Sequence, residues 1–397
     1  MTPSEPRPAG GIPRGLARTG PVLFSYGFRP FFLGGGIWAV MAMALWVAFL
    51  SGFGTPGGAY GALPWHMHEM LFGFGSAVLS GFLMTAVPNW TGRMPLSGPP
   101  LLALAGLWLA GRVAFTWPVM GLWPGVVLEA LFLPVMAVVF LTEIVAGRKW
   151  RDLKVVGAVA VLAAANLGFH AAVLWQGDPR LAARLAVAAY IVLILIIGGR
   201  ITPSFTRNWL NRQGKTPLPV PFGRYDAVTV GVSAGVLALW VLWPESRVTG
   251  VGALLAGGMN LVRLARWRGW QTWAEPLVLA LHGGYLMLCL GFLAVGLGLS
   301  EAGALHVFAV GAIGGEMLAV MTRATRGHTG RALAASGLTV LSYLALVAAA
   351  LLRPAAEIGA YGPLVAASGA AWMLAFGLFL WEHAPWLLTK RRDLRGG

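Results

Sequence analysis

Only one cysteine, Cys289, occurs in the 397 residues. That excludes an internal disulfide, a four-cysteine metal cluster and a haem attached through a CxxCH motif, so any haem here is held without a covalent bond. Charge is nearly as scarce: 11% of residues are charged, only 14 are acidic, and 57% are hydrophobic. A soluble domain cannot cover so much apolar surface with so few charges, and the chain reads as a polytopic membrane protein. No glycine-rich nucleotide or flavin fingerprint supplies an internal electron donor. The segments between the apolar runs are too short for a separate soluble domain.

What is present is a series of apolar runs of about twenty residues, the length that crosses the hydrocarbon core as a helix. Twelve are found, at 31–52, 65–87, 98–117, 120–145, 154–176, 181–200, 225–243, 248–265, 274–298, 303–322, 333–352 and 361–381. The expected fold is all-α: a cytoplasmic N-terminal tail over 1–28, a twelve-helix transmembrane domain over 29–385, and a basic cytoplasmic tail over 386–397. The first run is read as a retained span, not a cleaved signal. With the N-terminus inside, 24 of the 29 basic residues fall on the inner side, which orients the chain by the positive-inside rule with both termini cytoplasmic. The net charge of +15 is then a topology signal, and no nucleic-acid partner is expected. Three inner helix ends look alike, PNWTGR (88–93), TRNWLNR (206–212) and RGHTGR (326–331), and their arginines Arg93, Arg212 and Arg331 are each 119 residues apart. This spacing predicts three four-helix repeats.

Five of the seven histidines fall in the middle or outer part of the bilayer. His66 and His68 open the second span, His306 opens the tenth, His170 lies near the outer end of the fifth, and His282 is near mid-membrane in the ninth. Ionisable groups at such depth are costly and usually face a protein interior or a cavity. Neutral imidazole ligates haem iron and copper, and an apolar shell tunes both. His66 and His68 stand about 200° apart on an ideal helix and must have different jobs. His68 and His306 share a depth and lie 238 residues apart, twice the repeat offset, which makes them the expected axial ligands of a haem in the outer half of the membrane. His66, His170 and His282 are then assigned to copper or the distal pocket. His66 can pair with Glu69 at i,i+3, and Asn166 shares a helix face with His170 at i,i+4. Glu316, inside the tenth span, is a candidate proton relay, the alternative being a helix-packing hydrogen bond. Glu69 is a second candidate for acid–base work. Arg112 and Glu129, near the outer ends of neighbouring spans, read either as a structural pair or as an arginine that holds a haem propionate. Glu275 reads as an interfacial acid at the start of the ninth span or as a site where protons enter.

The stretches FRPFF (28–32), WHMHEMLFGF with GFLMTAVPNWTGR, NLGFH (166–170), GGRITPSFTRN (198–208), LHGGY (281–285) and LAVMTRATRGHTGR (318–331) together resemble the NnrS family over most of the chain. The resemblance implies a bacterial inner-membrane protein containing haem b and copper, linked to denitrification and nitrosative stress, that handles nitric oxide or iron-nitrosyl species. His66, His68, Glu69, His170, His282, His306 and His328 carry over as motif residues, whereas Glu316 departs from the apolar residue expected there. If the chain is an enzyme, the resemblance implies a haem-dependent nitric oxide oxidoreductase fed by an external electron donor. The competing reading is a transporter or metal-handling permease without redox chemistry, for which twelve spans are a common count. The outer histidines and the missing long central loop weigh against it.

Overall fold

A computed structural model describes residues 20–118 and 121–392. The expected N-terminal tail therefore lies largely outside the described residues, as does the end of the C-terminal one. Regular structure among the described residues is entirely helical, with twelve helices long and apolar enough to cross a membrane. They are α1 (Phe28–Leu50), α2 (Ala62–Thr91), α3 (Pro99–Thr116), α4 (Leu122–Ala146), α5 (Trp150–Leu174), α6 (Arg180–Arg212), α7 (Arg224–Leu242), α8 (Arg247–Arg266), α9 (Pro276–Gly296), α10 (Glu301–His328), α11 (Gly337–Ala355) and α12 (Tyr361–Leu388). The sequence locates all twelve, but α6, α10 and α12 run on past their apolar stretches. Their extra turns carry Arg207, Arg212, Arg323, Arg326 and His383 at the arginine-rich end of the bundle, where long basic side chains can reach water.

The helices follow a threefold pattern. In each set of four, the first two pack together and the last two pack together; contacts of α4 with α5, α8 with α9 and α12 with α1 join one set to the next. The second helix of each set is the central one. For α2, α6 and α10 the buried share of the apolar window is 89%, 72% and 61%, against 56% or less for every other span. These three touch one another and so surround a common axis. Their arginine-rich ends are the three look-alike motifs of the sequence.

Each central helix contains one π-helical segment: Glu69–Phe74 in α2, Ile194–Gly198 in α6 and Val307–Gly314 in α10. A π turn carries an extra residue and breaks the regular i→i−4 ladder, and such segments concentrate at functional sites. In lipid the altered backbone groups need partners inside the protein. Trp108 Nε1 donates to the Gly73 carbonyl at 3.0 Å, the Tyr190 hydroxyl to Leu71 at 2.9 Å, and Arg263 Nη1 to Leu195 at 3.1 Å. One of the three donors comes from outside the helix set it supports: Tyr190 of α6 holds α2, and its hydroxyl sits where a Cβ on Gly75 would collide with it.

Candidate cofactor and metal centre

The π turn of α2 puts Glu69 on the inner side of the helix. Its Oε2 accepts from Trp38 Nε1 at 2.6 Å and from Arg112 Nη1 at 3.0 Å. The second Arg112 nitrogen, Nη2, reaches Glu129 Oε1 at 2.6 Å, so one guanidinium of α3 bridges carboxylates of α2 and α4. Gly73 makes room for this, because a Cβ there would run into the Arg112 and Glu69 side chains. His68 is fully buried and lies between the two acids, with Nδ1 3.2 Å from Glu69 Oε1 and Nε2 3.1 Å from Glu129 Oε2. That nitrogen is also 2.8 Å from Asn166 Oδ1. His170 closes the cluster from α5: its Nε2 is 2.7 Å from Glu129 Oε2 and its Nδ1 is 3.0 Å from the Tyr60 hydroxyl.

The charges do not balance. Two carboxylates against one guanidinium leave one negative charge in a site walled by Phe72, Phe115 and Phe169. A doubly protonated His68 donating to both acids would neutralise it, and so would a metal cation. His68, Glu129 and His170 can each offer one ligand atom, all within 4.8 Å of one another. Two imidazoles and a carboxylate are a donor set for zinc, copper or iron. The outer partners suit that use, since Glu69 and Tyr60 fix the far nitrogens of the two rings and Arg112 fixes the far oxygen of Glu129. Burial raises the Tyr60 pKa above its ordinary value, with Glu129 and Glu69 adding to the shift; the phenol therefore stays neutral, and its oxygen can accept a hydrogen bond from the His170 Nδ1–H when Nε2 is used as a ligand.

A second space opens beside this cluster at the arginine-poor end. It is a cavity of about 630 Å³ whose walls come mainly from α1, α2, α10 and α12. The walls are apolar and aromatic, including Met43, Trp46, Met70, Phe74 and Trp372. His66 and His306 face it. His66 stacks on Trp46 with ring centroids 4.3 Å apart, and its buried Nδ1 has no hydrogen-bond partner among the described residues. His306 Nδ1 lies 2.7 Å from the Ala302 carbonyl, which sets the tautomer with Nδ1 protonated and leaves Nε2 as a free lone pair. Arg180, Arg353 and Glu301 border the same cavity. Arg180 pairs with Asp178 at 2.7 Å and with Glu301 at 3.3 Å, and Arg184 also pairs with Glu301. The bond from Arg180 holds the Asp178 carboxyl below its usual range. Arg353 Nη1 is buried without a hydrogen bond among the described residues and lies 3.7 Å from Glu357 Oε1, an ion pair at the end of its own helix.

The profile of the NnrS protein family matches residues 22–391. The chain belongs to the NnrS family. Family membership supports a membrane protein linked to the response to nitric oxide. No curated protein matches the chain significantly. In this NnrS chain the two histidines of the WHMHEM motif face different surroundings, in keeping with their separation of about 200° on an ideal helix: His66 lines the cavity and His68 lies in the polar cluster.

The structure divides the expected site residues differently from the sequence reading. His68 and His306 are indeed equivalent, since each directly precedes a π segment. Equivalence about a threefold axis is also what parts them, because related positions are rotated away from each other; His68 lies in the cluster and does not line the cavity that His306 faces. His66, placed by the sequence with copper, is the one that shares the cavity with His306. His170 joins His68, not His66. His282 is in a third place, bonded to Thr206 at 2.8 Å beneath Gly269. Arg112 is the structural partner of Glu129 and Glu69, not a residue of the cavity. Glu69 is engaged by His68, Trp38 and Arg112, so the expected His66–Glu69 pair does not form. Glu316 stands apart from both centres. His328 packs against the rings of Tyr26 and Phe28 at the arginine-rich end. Tyr60, Trp38 and Trp46 were not picked out from sequence; apolar aromatics are common in membrane helices, and only the fold gives these three their partners.

Proposed function

We propose that the protein binds a non-covalent haem b in the cavity, with His66 and His306 as its ligands, and a copper ion at His68, Glu129 and His170. In this reading it uses the pair to bind nitric oxide or iron-nitrosyl species in nitrosative-stress defence. The observation that carries the reading is the pair of histidines facing one apolar cavity of about 630 Å³, a volume suited to a large flat ligand. His306 presents an unprotonated Nε2, His66 has an unpartnered ring nitrogen, and Arg180 and Arg353 border the cavity as partners for carboxylate substituents. Haem iron would supply single-electron chemistry, and would bind the gas only where one of the two histidines gives way to it. The chain itself would exclude water with Trp46, Phe74 and Trp372 and orient the His306 ring through Ala302. If the reaction is reduction, two molecules of nitric oxide yield one of nitrous oxide and one of water, consuming two protons and two electrons, the electrons from an external donor. The arginine-rich end would face the cytoplasm of a bacterial inner membrane, with both termini on that side.

The test is a visible spectrum with metal analysis on four variants. His66→Ala and His306→Ala should each lose or shift the haem spectrum and keep the second metal. His68→Ala and His170→Ala should keep the haem spectrum and lose the second metal. Preparations made with ample haem that show no Soret band would remove the haem reading, and the reverse pattern among the variants would exchange the two sites.

A further inference from the structure

Glu316 lies near the middle of the 28-residue α10, is 6% exposed, and belongs to neither centre described above. Its Oε1 is buried without a partner among the described residues, so the packing hydrogen bond that would account for it as a structural acid is absent there. Gly284 of α9 lets α10 pack closely at this point, since a Cβ at that glycine would come to 3.0 Å from Glu316 Cγ.

The carboxyl faces a small space of about 80 Å³ bordered by Val78 and Phe82 of α2, Tyr190 and Ile197 of α6, and Val320 of α10. Every residue around this space comes from the three central helices, which places it on the pseudo-threefold axis of the bundle. The space has room for a few water molecules at most. Tyr190 and Ile313 border both it and the large cavity, so the two spaces meet at these side chains. Glu316 is the acid of the axial space, and the other walls are apolar apart from the Tyr190 hydroxyl, which is committed to Leu71. The titratable groups near it are Tyr190 and, from α9, Tyr285. Towards the arginine-rich end stand Glu275, Arg323 and Arg212.

We propose that Glu316 is a proton carrier on the axis of the bundle, accepting protons from the arginine-rich end and passing them to the cavity that holds His66 and His306. The reading of that cavity as the reactive centre supplies the destination, and on that point the proposal rests on the function given above. An unpaired carboxylate is costly in apolar surroundings, so the neutral acid is the resting form. In transfer its O–H bond breaks, the proton moves to a water at the Tyr190 and Ile313 boundary, and the carboxylate takes a new proton from the arginine-rich side. The π segments beside the space, Ile194–Gly198 and Val307–Gly314, interrupt the regular helices where this exchange takes place.

The test reads the carboxyl directly by infrared difference spectroscopy on the full-length protein in liposomes, with and without haem. A band from a protonated carboxyl should be present, shift within minutes of transfer to D2O, vanish in Glu316→Gln, and return in Glu316→Asp. Dicyclohexylcarbodiimide, which reacts with protonated carboxyls in apolar sites, should modify Glu316 in peptide mapping. In haem-loaded protein, Glu316→Gln should keep the wild-type visible spectrum and lose at least tenfold in the rate of proton uptake from the arginine-rich side when reduced protein meets nitric oxide. A carboxyl band that does not exchange over hours, an unmodified Glu316, or unchanged proton uptake in Glu316→Gln overturns the proposal even where the haem spectrum is normal. Absence of a haem spectrum in the wild type removes the function reading instead, and the exchange and labelling results still decide whether Glu316 is a connected, protonated acid.

Discussion

Arg112→Leu separates the electrostatic account of the polar cluster from a merely steric one. The guanidinium makes two ion pairs, 3.0 Å to Glu69 and 2.6 Å to Glu129, with all three side chains at most 2% exposed. Each contact is worth about 4 kcal/mol of gross attraction at an effective dielectric constant near 20, most of it offset by the desolvation of the charges. Removing one member of a buried network leaves its partners uncompensated, which costs about 3–5 kcal/mol. The cluster then holds two carboxylates with only His68 to balance them. Unfolding by SDS titration in mixed micelles, followed by tryptophan fluorescence, should show that loss. Arg112→Leu combined with Glu69→Gln should recover more than half of it, because the second change removes the exposed deficit. Zinc should stabilise Arg112→Leu more than the wild type, the divalent cation taking over the role of the guanidinium; at a hundredfold excess over its dissociation constant the gain is about 2.7 kcal/mol. His170→Ala should abolish the zinc effect. Stability of Arg112→Leu within about 0.5 kcal/mol of the wild type, or an equal zinc effect in His170→Ala, would refute the charge count and the ligand set respectively.

Tyr190→Phe and Trp108→Phe each strip a donor from a carbonyl in the α2 π segment; each should cost about 0.6–1.7 kcal/mol and speed amide hydrogen exchange over 69–75, and unchanged exchange would show the carbonyls to be satisfied in another way. Burial raises the Glu275 pKa, against the pull of Arg323 and Arg212, so its contribution to stability is present below the ordinary carboxylate range and lost as pH rises through the raised value. Glu275→Gln should therefore flatten the dependence of the melting midpoint on pH as pH rises above the ordinary carboxylate range, and an unaltered pH profile would contradict the assignment. In a Cys289→Ser background, single cysteines at Gly57 and His328 should react with an impermeant reagent from opposite sides of the membrane, Gly57 from the periplasm; labelling of both from the periplasm would overturn the orientation.

Membrane class, span number and the repeat were legible in the chain because each follows from local chemistry. Twenty apolar residues can only be buried in lipid or protein, arginines stay at one surface, and the Arg93, Arg212 and Arg331 spacing marks the ends of the three central helices. The NnrS motifs were legible for the same reason, as contiguous runs of residues. Pairing was harder to read. The sequence put His66 and His68 on separate faces, as the structure has them, since helix geometry alone forbids a shared face, and it linked Arg112 with Glu129 from their common depth. It paired His306 with His68, whereas His66 is the histidine that shares the cavity with His306.

That choice depends on which helices flank α2 on each side. Hydropathy and periodicity are properties of each segment alone, so the chain carries in itself the twelve helices, their threefold repetition and the set of ionisable groups inside the membrane. The tertiary structure decided that α4 and α5 bring Glu129 and His170 to His68, and that α1, α10 and α12 surround His66 with a cavity. It also decided that Glu316 faces the axis between the three central helices. Repetition makes positions equivalent without making them neighbours, and neighbours are set by the packing of helices far apart in the chain.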